Sequence, residues 1–200
     1  MADFAFVDVD TQYDFMNPEG ALYVQGAAGI VSNLSKLLDA AQRHGIPVIG
    51  SVDAHTMDDP EFEQFPPHCV KGTPGQNKIP ETTLDGMKII PMDTSPDKVD
   101  LSPPGPVILE KRVYSLFDNP HANAAVEATG SKRFVVFGVA TDYCVGAAAR
   151  GLLEKGFDVL LVTDAIRAVD PEGGDKTLRE LEAKGVRLVT TDEAVAEAGG

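Results

Sequence analysis

The stretch Phe134-Val-Val-Phe-Gly-Val-Ala-Thr-Asp-Tyr-Cys-Val-Gly146 decides the fold of this chain. It begins as a continuous apolar run, which is typical of a strand buried on both faces of a parallel sheet. The run breaks at Gly138, and the alanine-rich residues 147–153 predict a helix that Thr141 or Asp142 would cap. A strand, a turn and a helix in this order indicate an open α/β sheet, whose functional sites lie at the carboxyl ends of its strands.

Cys144 is the first candidate functional residue, because this pattern places it in the first turn of the helix. Backbone N–H groups in a first turn lack partners within the helix, and the helix dipole is positive there. Both effects favour a thiolate over a thiol, so Cys144 is a candidate nucleophile. The alternative is a small buried hydrophobic residue, which is what most free cysteines are.

The composition limits the class of protein. The chain has 200 residues, 43% hydrophobic and 24% charged, which favours a single globular domain over residues 1–200. The formal net charge of −14 argues against a nucleic-acid partner, whose phosphates need a basic surface. No apolar run approaches the roughly 20 residues that cross a membrane. Two cysteines and a first segment unlike a signal peptide lead us to expect a cytoplasmic protein without a disulfide.

Hydrophobic patterns predict the rest of the sheet. The six predicted strands cover residues 3–10, 46–52, 107–111, 134–138, 157–163 and 186–190. A further short strand at 87–91 is an alternative within a long loop. Helical patterns lie between the strands, at residues 30–44, 119–129, 147–153, 171–184 and 192–198. This alternation predicts a three-layer α/β/α fold, Rossmann-like, with a mainly parallel sheet in the order 3-2-1-4-5-6.

The predicted strand order indicates which polar side chains meet. Asp10, Asp53, Lys111 and Cys144 each lie at or just beyond the carboxyl end of one of the strands 1 to 4. Those ends surround the crevice at which a sheet of this order reverses direction, so the four side chains should converge. Lys111 is either a solvated surface charge or a buried cation paired with Asp10. Asp14 is expected to be a structural residue at the start of a loop.

Residues of about 53–100 form a long irregular segment rich in Pro, Gly, Asp and Thr, and such segments are usually functional. Its first half carries Asp53, His55, Glu61 and His68. Mixed imidazole and carboxylate ligands suit zinc, iron or manganese, so these residues are a candidate metal site. The alternative is a polar loop with surface histidines.

Three motifs resemble those of the isochorismatase-like cysteine hydrolase superfamily, and within it the nicotinamidases. They are residues 9–15 (VDTQYDF), 110–117 (EKRVYSLF) and 138–145 (GVATDYCV). The resemblance implies a catalytic triad of Asp10, Lys111 and Cys144. It also implies a cis peptide between Val139 and Ala140, and an oxyanion hole formed by the backbone N–H groups of Ala140 and Cys144.

A further segment, residues 65–75 (FPPHCVKGTPG), resembles the metal segment of nicotinamidases together with Asp53-Ala-His55. The resemblance implies one divalent transition metal on Asp53, His55 and His68, with Glu61 at the position of a fourth ligand in some members. Zinc is favoured over iron or manganese. The same resemblance places Phe15, Phe65 and Tyr114 around the substrate ring. Ala54 departs from the bulky aromatic residue that many nicotinamidases carry there.

The resemblance implies a metal-dependent cysteine amidohydrolase that converts nicotinamide to nicotinate and ammonia through a thioester, and that also acts on pyrazinamide. We expect a cytoplasmic homo-oligomer that serves NAD salvage and pyridine nucleotide biosynthesis, with a small-molecule amide substrate and without nucleic-acid or membrane partners. One alternative is an isochorismatase-like hydrolase of isochorismate or of carbamoyl or ureido compounds. Another is a non-catalytic binding module with the same fold.

Overall fold

A parallel β-sheet lies at the centre of the computed structural model, which describes residues 3–101 and 105–199. Its strands are Phe4–Val9 (β1), Val48–Asp53 (β2), Lys88–Ile90 (β3), Val107–Lys111 (β4), Arg133–Val139 (β5), Asp158–Arg167 (β6) and Arg187–Val189 (β7). The α-helices are Tyr13–Met16 (α1), Val31–His44 (α2), Ala122–Ala128 (α3), Gly146–Glu154 (α4), Pro171–Ala183 (α5) and Thr191–Gly199 (α6). The strand order is β3-β4-β2-β1-β5-β6-β7, and every neighbouring pair is parallel.

The predicted fold class and relative strand order are confirmed, but the predicted number of strands is wrong. The sheet has seven strands, because β3 pairs with β4 at the edge. This strand has only three residues and lies in a loop rich in Pro and Gly, so its local signal is weak. Strand β6 also runs beyond its predicted end at residue 163, to Arg167. The register of β5 and β6 shifts on the way, because β6 advances from Leu161 to Ile166 while β5 advances only from Val136 to Gly138, and the pairing then continues.

The sheet has a hydrophobic cluster on each face, because successive side chains of a strand point to opposite sides. Phe6 of β1 belongs to the cluster under α2 and α6, whereas Val7 belongs to the cluster under α3, α4 and α5. Helix α2 buries one stripe of side chains at helical spacing, namely Leu34, Leu37, Leu38 and Ala41. The two clusters establish the three-layer arrangement. Among the described residues, no helix is both long and apolar enough to span a bilayer.

The chain turns sharply after β5. Gly138 has φ +117°, and a Cβ at this position would collide with the carbonyl oxygen of Val9 on the neighbouring strand, so only glycine fits. The cis peptide between Val139 and Ala140 is present. The next five residues, Thr141–Val145, form one π-helical turn, and α4 begins only at Gly146. The predicted helix cap is therefore wrong: neither Thr141 nor Asp142 caps this turn with its side chain.

Candidate active site

A small cavity opens at the carboxyl ends of β1, β2, β4 and β5, where the strand order predicts a site. Its polar lining consists of Asp10, Asp53, Glu61, His68 and Cys144, and its apolar and aromatic lining includes Phe15, Phe65, Tyr114, Ala140, Tyr143 and Val169. A larger cavity lies at the other end of the sheet, beside the starts of β2 and β4. The described residues that line this larger cavity include no cysteine, histidine or lysine. The functional chemistry is thus concentrated in the small cavity.

Lys111 contacts three of the polar residues that line the cavity. Its Nζ lies 2.8 Å from Asp10 Oδ2 and 3.4 Å from Cys144 Sγ. It also forms an ion pair with Asp53, which is its direct register partner between β2 and β4. Lys111 is completely buried, so it is the paired interior cation and not the solvated surface charge. The structure brings the four residues at the strand ends together.

Asp10 is held in a conformation that is uncommon for a residue with a side chain. Its φ of +49° lies in the left-handed region, which aspartate tolerates better than most residues. Ser51 of β2 fixes it from two sides: the hydroxyl donates to Asp10 Oδ1 at 2.7 Å, and the carbonyl accepts the Asp10 N–H at 3.1 Å. Sequence reasoning missed Ser51, because a serine within a buried strand carries no specific signal.

The protonation of Cys144 differs from the expectation drawn from the sequence. Burial raises the pKa of the Cys144 thiol well above its ordinary value, and the Asp10 and Asp53 carboxylates raise it further although Lys111 opposes them. The prediction that the helix start favours a thiolate is therefore wrong, because desolvation of a buried anion outweighs it. The raised pKa favours the neutral thiol, which needs a base before it can act as a nucleophile.

Asp10 is suited to be that base. Burial raises the pKa of Asp10 above its ordinary value, with Lys111 acting against the rise and Asp53 adding to it. One carboxylate oxygen each of Asp10 and Asp53 and the Cys144 sulfur all lie within 4.8 Å of one another. Burial alone would lower the pKa of Lys111, but Asp10 and Asp53 raise it well above its usual value, so the ammonium stays charged.

A second cluster borders the cavity, which Asp53 and His68 line. Asp53, His55 and His68 each offer one ligand atom, and these atoms lie within 4.8 Å of one another. All three residues are buried. The Nε2 atom of His55 has no hydrogen-bond partner in the described part of the chain, and the nearest Asp53 oxygen is 3.8 Å away. A buried polar atom without a partner is costly, so this nitrogen fits a metal ligand.

The chemistry of the donor set also fits a metal. Burial lowers the pKa of His68, which favours the neutral imidazole that metals bind. Burial alone would lower the pKa of His55 too, but the Asp53 and Asp59 carboxylates raise it, so a metal would compete with a proton there. The Nδ1 atom of His68 lies 2.8 Å from the carbonyl oxygen of Pro66, which leaves Nε2 for a ligand. Two imidazoles and one carboxylate suit zinc, iron or manganese.

The local fold explains why His68 lies beside His55. Residue 55 follows β2 and forms an isolated parallel bridge with Val70, which brings the second loop segment alongside the first. Asp14 holds this segment, because its carboxylate accepts the backbone N–H of Cys69 at 2.7 Å. Asp14 is therefore a structural residue, as the sequence predicts. Cys69 has φ +44°, so this backbone is constrained directly after His68.

Two supporting residues escaped the sequence analysis. The Gln12 amide pairs with both backbone groups of Asp53, donating to the carbonyl at 2.9 Å and accepting the N–H at 2.7 Å. The Asp59 carboxylate lies 3.0 Å from His55 Nδ1, which fixes the ring and turns Nε2 toward the cluster. Gln12 lies within the first motif, where a buried polar residue could have been suspected. Asp59 follows Asp58, and nothing in the sequence distinguishes the two.

Glu61 lies beside the metal cluster and not within it. It groups with His55 and Asp59, whereas Asp53 and His68 form a separate group with His55. Its backbone N–H donates to Asp59 Oδ1 at 3.0 Å, so Asp59 also positions the segment that carries Glu61. Its place as a fourth ligand stays a prediction.

Aromatic rings form the walls of the cavity. Phe15, Phe65 and Tyr114, the residues expected around a substrate ring, all line it. Tyr143, which sequence reasoning missed, packs between two of them, with ring centroids 5.1 Å from Tyr114 and 6.0 Å from Phe65. Ala140 and Cys144, the predicted oxyanion donors, also line the cavity. The roles of these residues stay predictions.

Comparisons with known proteins agree with this arrangement. The family model for the Isochorismatase domain matches residues 4–193. The nicotinamidase of Escherichia coli K12 is 29% identical over an alignment of 213 positions, gaps included, which covers 93% of this chain and 94% of the relative. The pyrazinamidase of Pyrococcus horikoshii, solved in complex with zinc, is 29% identical with a TM-score of 0.77, covering 94% of this chain and 99% of its own. The N-carbamoylsarcosine amidase of Thermoplasma acidophilum is 27% identical with a TM-score of 0.76, covering 95% and 97%.

Proposed function

Because the chain belongs to the isochorismatase family, we propose that it is a metal-dependent nicotinamidase that hydrolyses nicotinamide to nicotinate and ammonia. One observation carries this proposal: Asp53 and His68 line the same cavity as Cys144, and with His55 they form a buried cluster in which the His55 Nε2 atom has no partner among the described residues. A thiol nucleophile alone would suit many amides. The adjacent metal cluster and the aromatic walls favour a ring amide with a nitrogen that can bind a metal.

Asp10 and Lys111 prepare the nucleophile. Asp10 accepts the proton of the Cys144 thiol, and Lys111, 3.4 Å from the sulfur, stabilises the thiolate as it forms. The thiolate then attacks the carboxamide carbon. The backbone N–H groups of Ala140 and Cys144 hold the resulting oxyanion, and loss of one such donor typically costs about 2.7–4 kcal/mol of transition-state stabilisation.

Asp10 also completes the reaction. As a protonated acid it returns its proton to the leaving nitrogen, so that ammonia departs and a thioester remains on Cys144. Asp10 then removes a proton from water, which hydrolyses the thioester to nicotinate and restores the thiol. When bound, the metal supplies a Lewis-acidic position that orients the substrate through its ring nitrogen. Asp53, His55 and His68 would hold it, and zinc is favoured because a similar pyrazinamidase was solved with zinc.

A second candidate keeps the triad and changes the substrate. Similarity to an N-carbamoylsarcosine amidase supports a carbamoyl or ureido substrate. Ala54 supports it too, because this residue departs from the aromatic residue of many nicotinamidases. This candidate does not explain why a buried imidazole nitrogen of His55 has no partner among the described residues beside the cavity. We therefore place it second, and we propose pyridine nucleotide salvage in the cytoplasm as the setting for the first.

An ammonia-release assay tests the proposal. The panel contains nicotinamide, pyrazinamide, benzamide and N-carbamoylsarcosine, each assayed with zinc and after treatment with a chelator. Nicotinamide and pyrazinamide should be hydrolysed fastest, and the chelator should remove most of this activity. Benzamide has no ring nitrogen and should be a poor substrate. Preference for N-carbamoylsarcosine, or activity that is insensitive to the chelator, would select the second candidate.

A further inference from the structure

The segment of residues 168–170 joins β6 to α5 and contributes one wall of the cavity. Val169 lines the cavity, although 42% of its surface is exposed. An apolar side chain with this exposure gains only part of the stabilisation that full burial provides. Packing within the chain therefore does not explain why Val169 is held against the site.

Asp142 provides the missing restraint. Its Oδ1 accepts the backbone N–H of Val169 at 3.0 Å, and its Oδ2 accepts the backbone N–H of Asp170 at 2.8 Å. Both are hydrogen bonds to an ionised acceptor, which are stronger than neutral ones. Asp142 lies in the π-helical turn that also carries Cys144. One carboxylate thus ties the wall of the cavity to the turn that bears the nucleophile.

The far end of the segment is fixed independently. The Asp170 carboxylate accepts the N–H of Gly173 at 2.9 Å and so caps α5. Helix α5 packs against α4 and the π-helical turn. The segment held by Asp142 is therefore short, and the packed helix α5 begins directly after it. Val169 has little freedom to move as a result.

We propose that Val169 is a specificity-determining residue and that Asp142 is the positioning residue that holds it. Val169 limits the size of the ring that the cavity accepts, and the two hydrogen bonds from Asp142 maintain that limit. The substrate class rests on the proposed function. The link between Asp142 and Val169 does not, because it rests only on the two hydrogen bonds and on the cavity.

A double-mutant cycle tests the link. We expect Val169→Ala to raise the KM for nicotinamide about fivefold and to improve kcat/KM for ring-substituted nicotinamides relative to nicotinamide, since two methyl groups leave the wall. Asp142→Asn should raise KM similarly, with kcat within about twofold, because the amide group cannot accept both N–H groups. The double variant should resemble Val169→Ala alone. Effects that multiply would show that Asp142 does not act through Val169 and would overturn the proposal.

Two further measurements separate positioning from other roles of Asp142. In Asp142→Asn, the amides of Val169 and Asp170 should exchange with deuterium faster than in the wild type, and unchanged exchange would contradict the restraint. The pH profile for alkylation of Cys144 by iodoacetamide should not move, because Asp142 acts on the wall and not on the thiol. A shifted profile would overturn the proposal. Asp175→Asn, an exposed change on α5, is the matched control and should alter neither readout.

These measurements also distinguish failure of this proposal from failure of the proposed function. If the wild type releases no ammonia from any ring amide, the assigned substrate is wrong. Hydrogen exchange at Val169 and Asp170 then still decides whether Asp142 holds the segment. If ring amides are hydrolysed but the two variants differ in their size preference, only the link between Asp142 and Val169 is lost.

Discussion

The nucleophile region (Asp10, Lys111 and Cys144) and the metal cluster (Asp53, His55 and His68) border the same cavity. They differ in whether their buried polar atoms find partners within the chain. Around Cys144, the charges pair internally, because Lys111 contacts both Asp10 and Asp53. In the metal cluster, His55 keeps a buried ring nitrogen without a partner in the described residues. Asp10 Oδ2 has no hydrogen-bond partner in the described residues either, but Lys111 Nζ lies 2.8 Å from it, so its charge is compensated. The charges of the first region are therefore paired within the chain, whereas the second leaves a buried nitrogen that suits a cation.

Asp53 belongs to both regions, and this shared residue explains how they can be coupled. One of its oxygens pairs with Lys111, and the other faces His55. The two regions also come from different parts of the fold. Asp10 and Lys111 lie at or directly after strand ends and Cys144 lies in the π-helical turn after β5, whereas His55 and His68 lie in the long segment after β2. Substitutions confined to one region test whether the two regions are separable.

The largest effect is expected in the nucleophile region. Cys144→Ala should lower ammonia release by at least about 1,000-fold, because no other group at that position can form the thioester. Zinc binding measured by calorimetry should be unchanged, because the sulfur is not part of the metal set. Cys69→Ala, which removes the other free cysteine, is the control and should retain turnover within about tenfold. Undiminished ammonia release by Cys144→Ala would exclude the thioester mechanism.

Loss of the shared cation should destabilise the fold. Lys111→Met leaves the buried carboxylates of Asp10 and Asp53 without compensation, so the free energy of unfolding in urea should fall by about 3–5 kcal/mol. Lys71→Met is a matched control, because Lys71 pairs with Glu110 but is half exposed; it should change stability by no more than about 1 kcal/mol. If both substitutions lower the free energy of unfolding equally, the buried charge pairs of Lys111 matter no more to stability than the half-exposed pair of Lys71.

Zinc should stabilise the folded protein by binding to the metal cluster. Free zinc at 100 times its Kd should raise the free energy of unfolding by about 2.7 kcal/mol relative to chelator-treated protein, because the metal binds only the folded state. His68→Ala should abolish this increase without removing the nucleophile. If zinc does not change the free energy of unfolding, the metal cluster binds no zinc and the proposed difference between the two regions is wrong.

The smallest effect concerns the residue that orients His55. Asp59→Asn should weaken zinc binding about 10- to 100-fold by calorimetry, since it loosens the ring that presents Nε2. Turnover should recover at saturating zinc, because Asp59 touches neither Cys144 nor the cavity. The neighbouring exposed Asp58→Asn should leave zinc affinity unchanged. If both substitutions weaken binding equally, the effect is one of surface charge and not of orientation.

The family resemblance read from the sequence is confirmed by the match over residues 4–193. The predicted meeting of Asp10, Asp53, Lys111 and Cys144 is also found, because strand order alone determines which strand ends are neighbours. Strand β3 and the supporting Asp59 were harder to predict. A three-residue strand has too few residues for a period, and Asp58 and Asp59 differ only in which of them faces His55.

The sequence by itself determined the layers and the motif residues, because hydrophobic periodicity and turn residues act over short stretches of chain. The relative strand order followed from the alternation of strands and helices, because few topologies connect such a pattern. The tertiary structure alone decided how polar groups pair and what charge they carry. It raised the pKa of Cys144 and so favours the neutral thiol, since desolvation depends on everything that surrounds the sulfur. It turned Asp142 from an expected helix cap into the anchor of Val169, because the partner of a carboxylate is set by which distant backbone the fold brings near it.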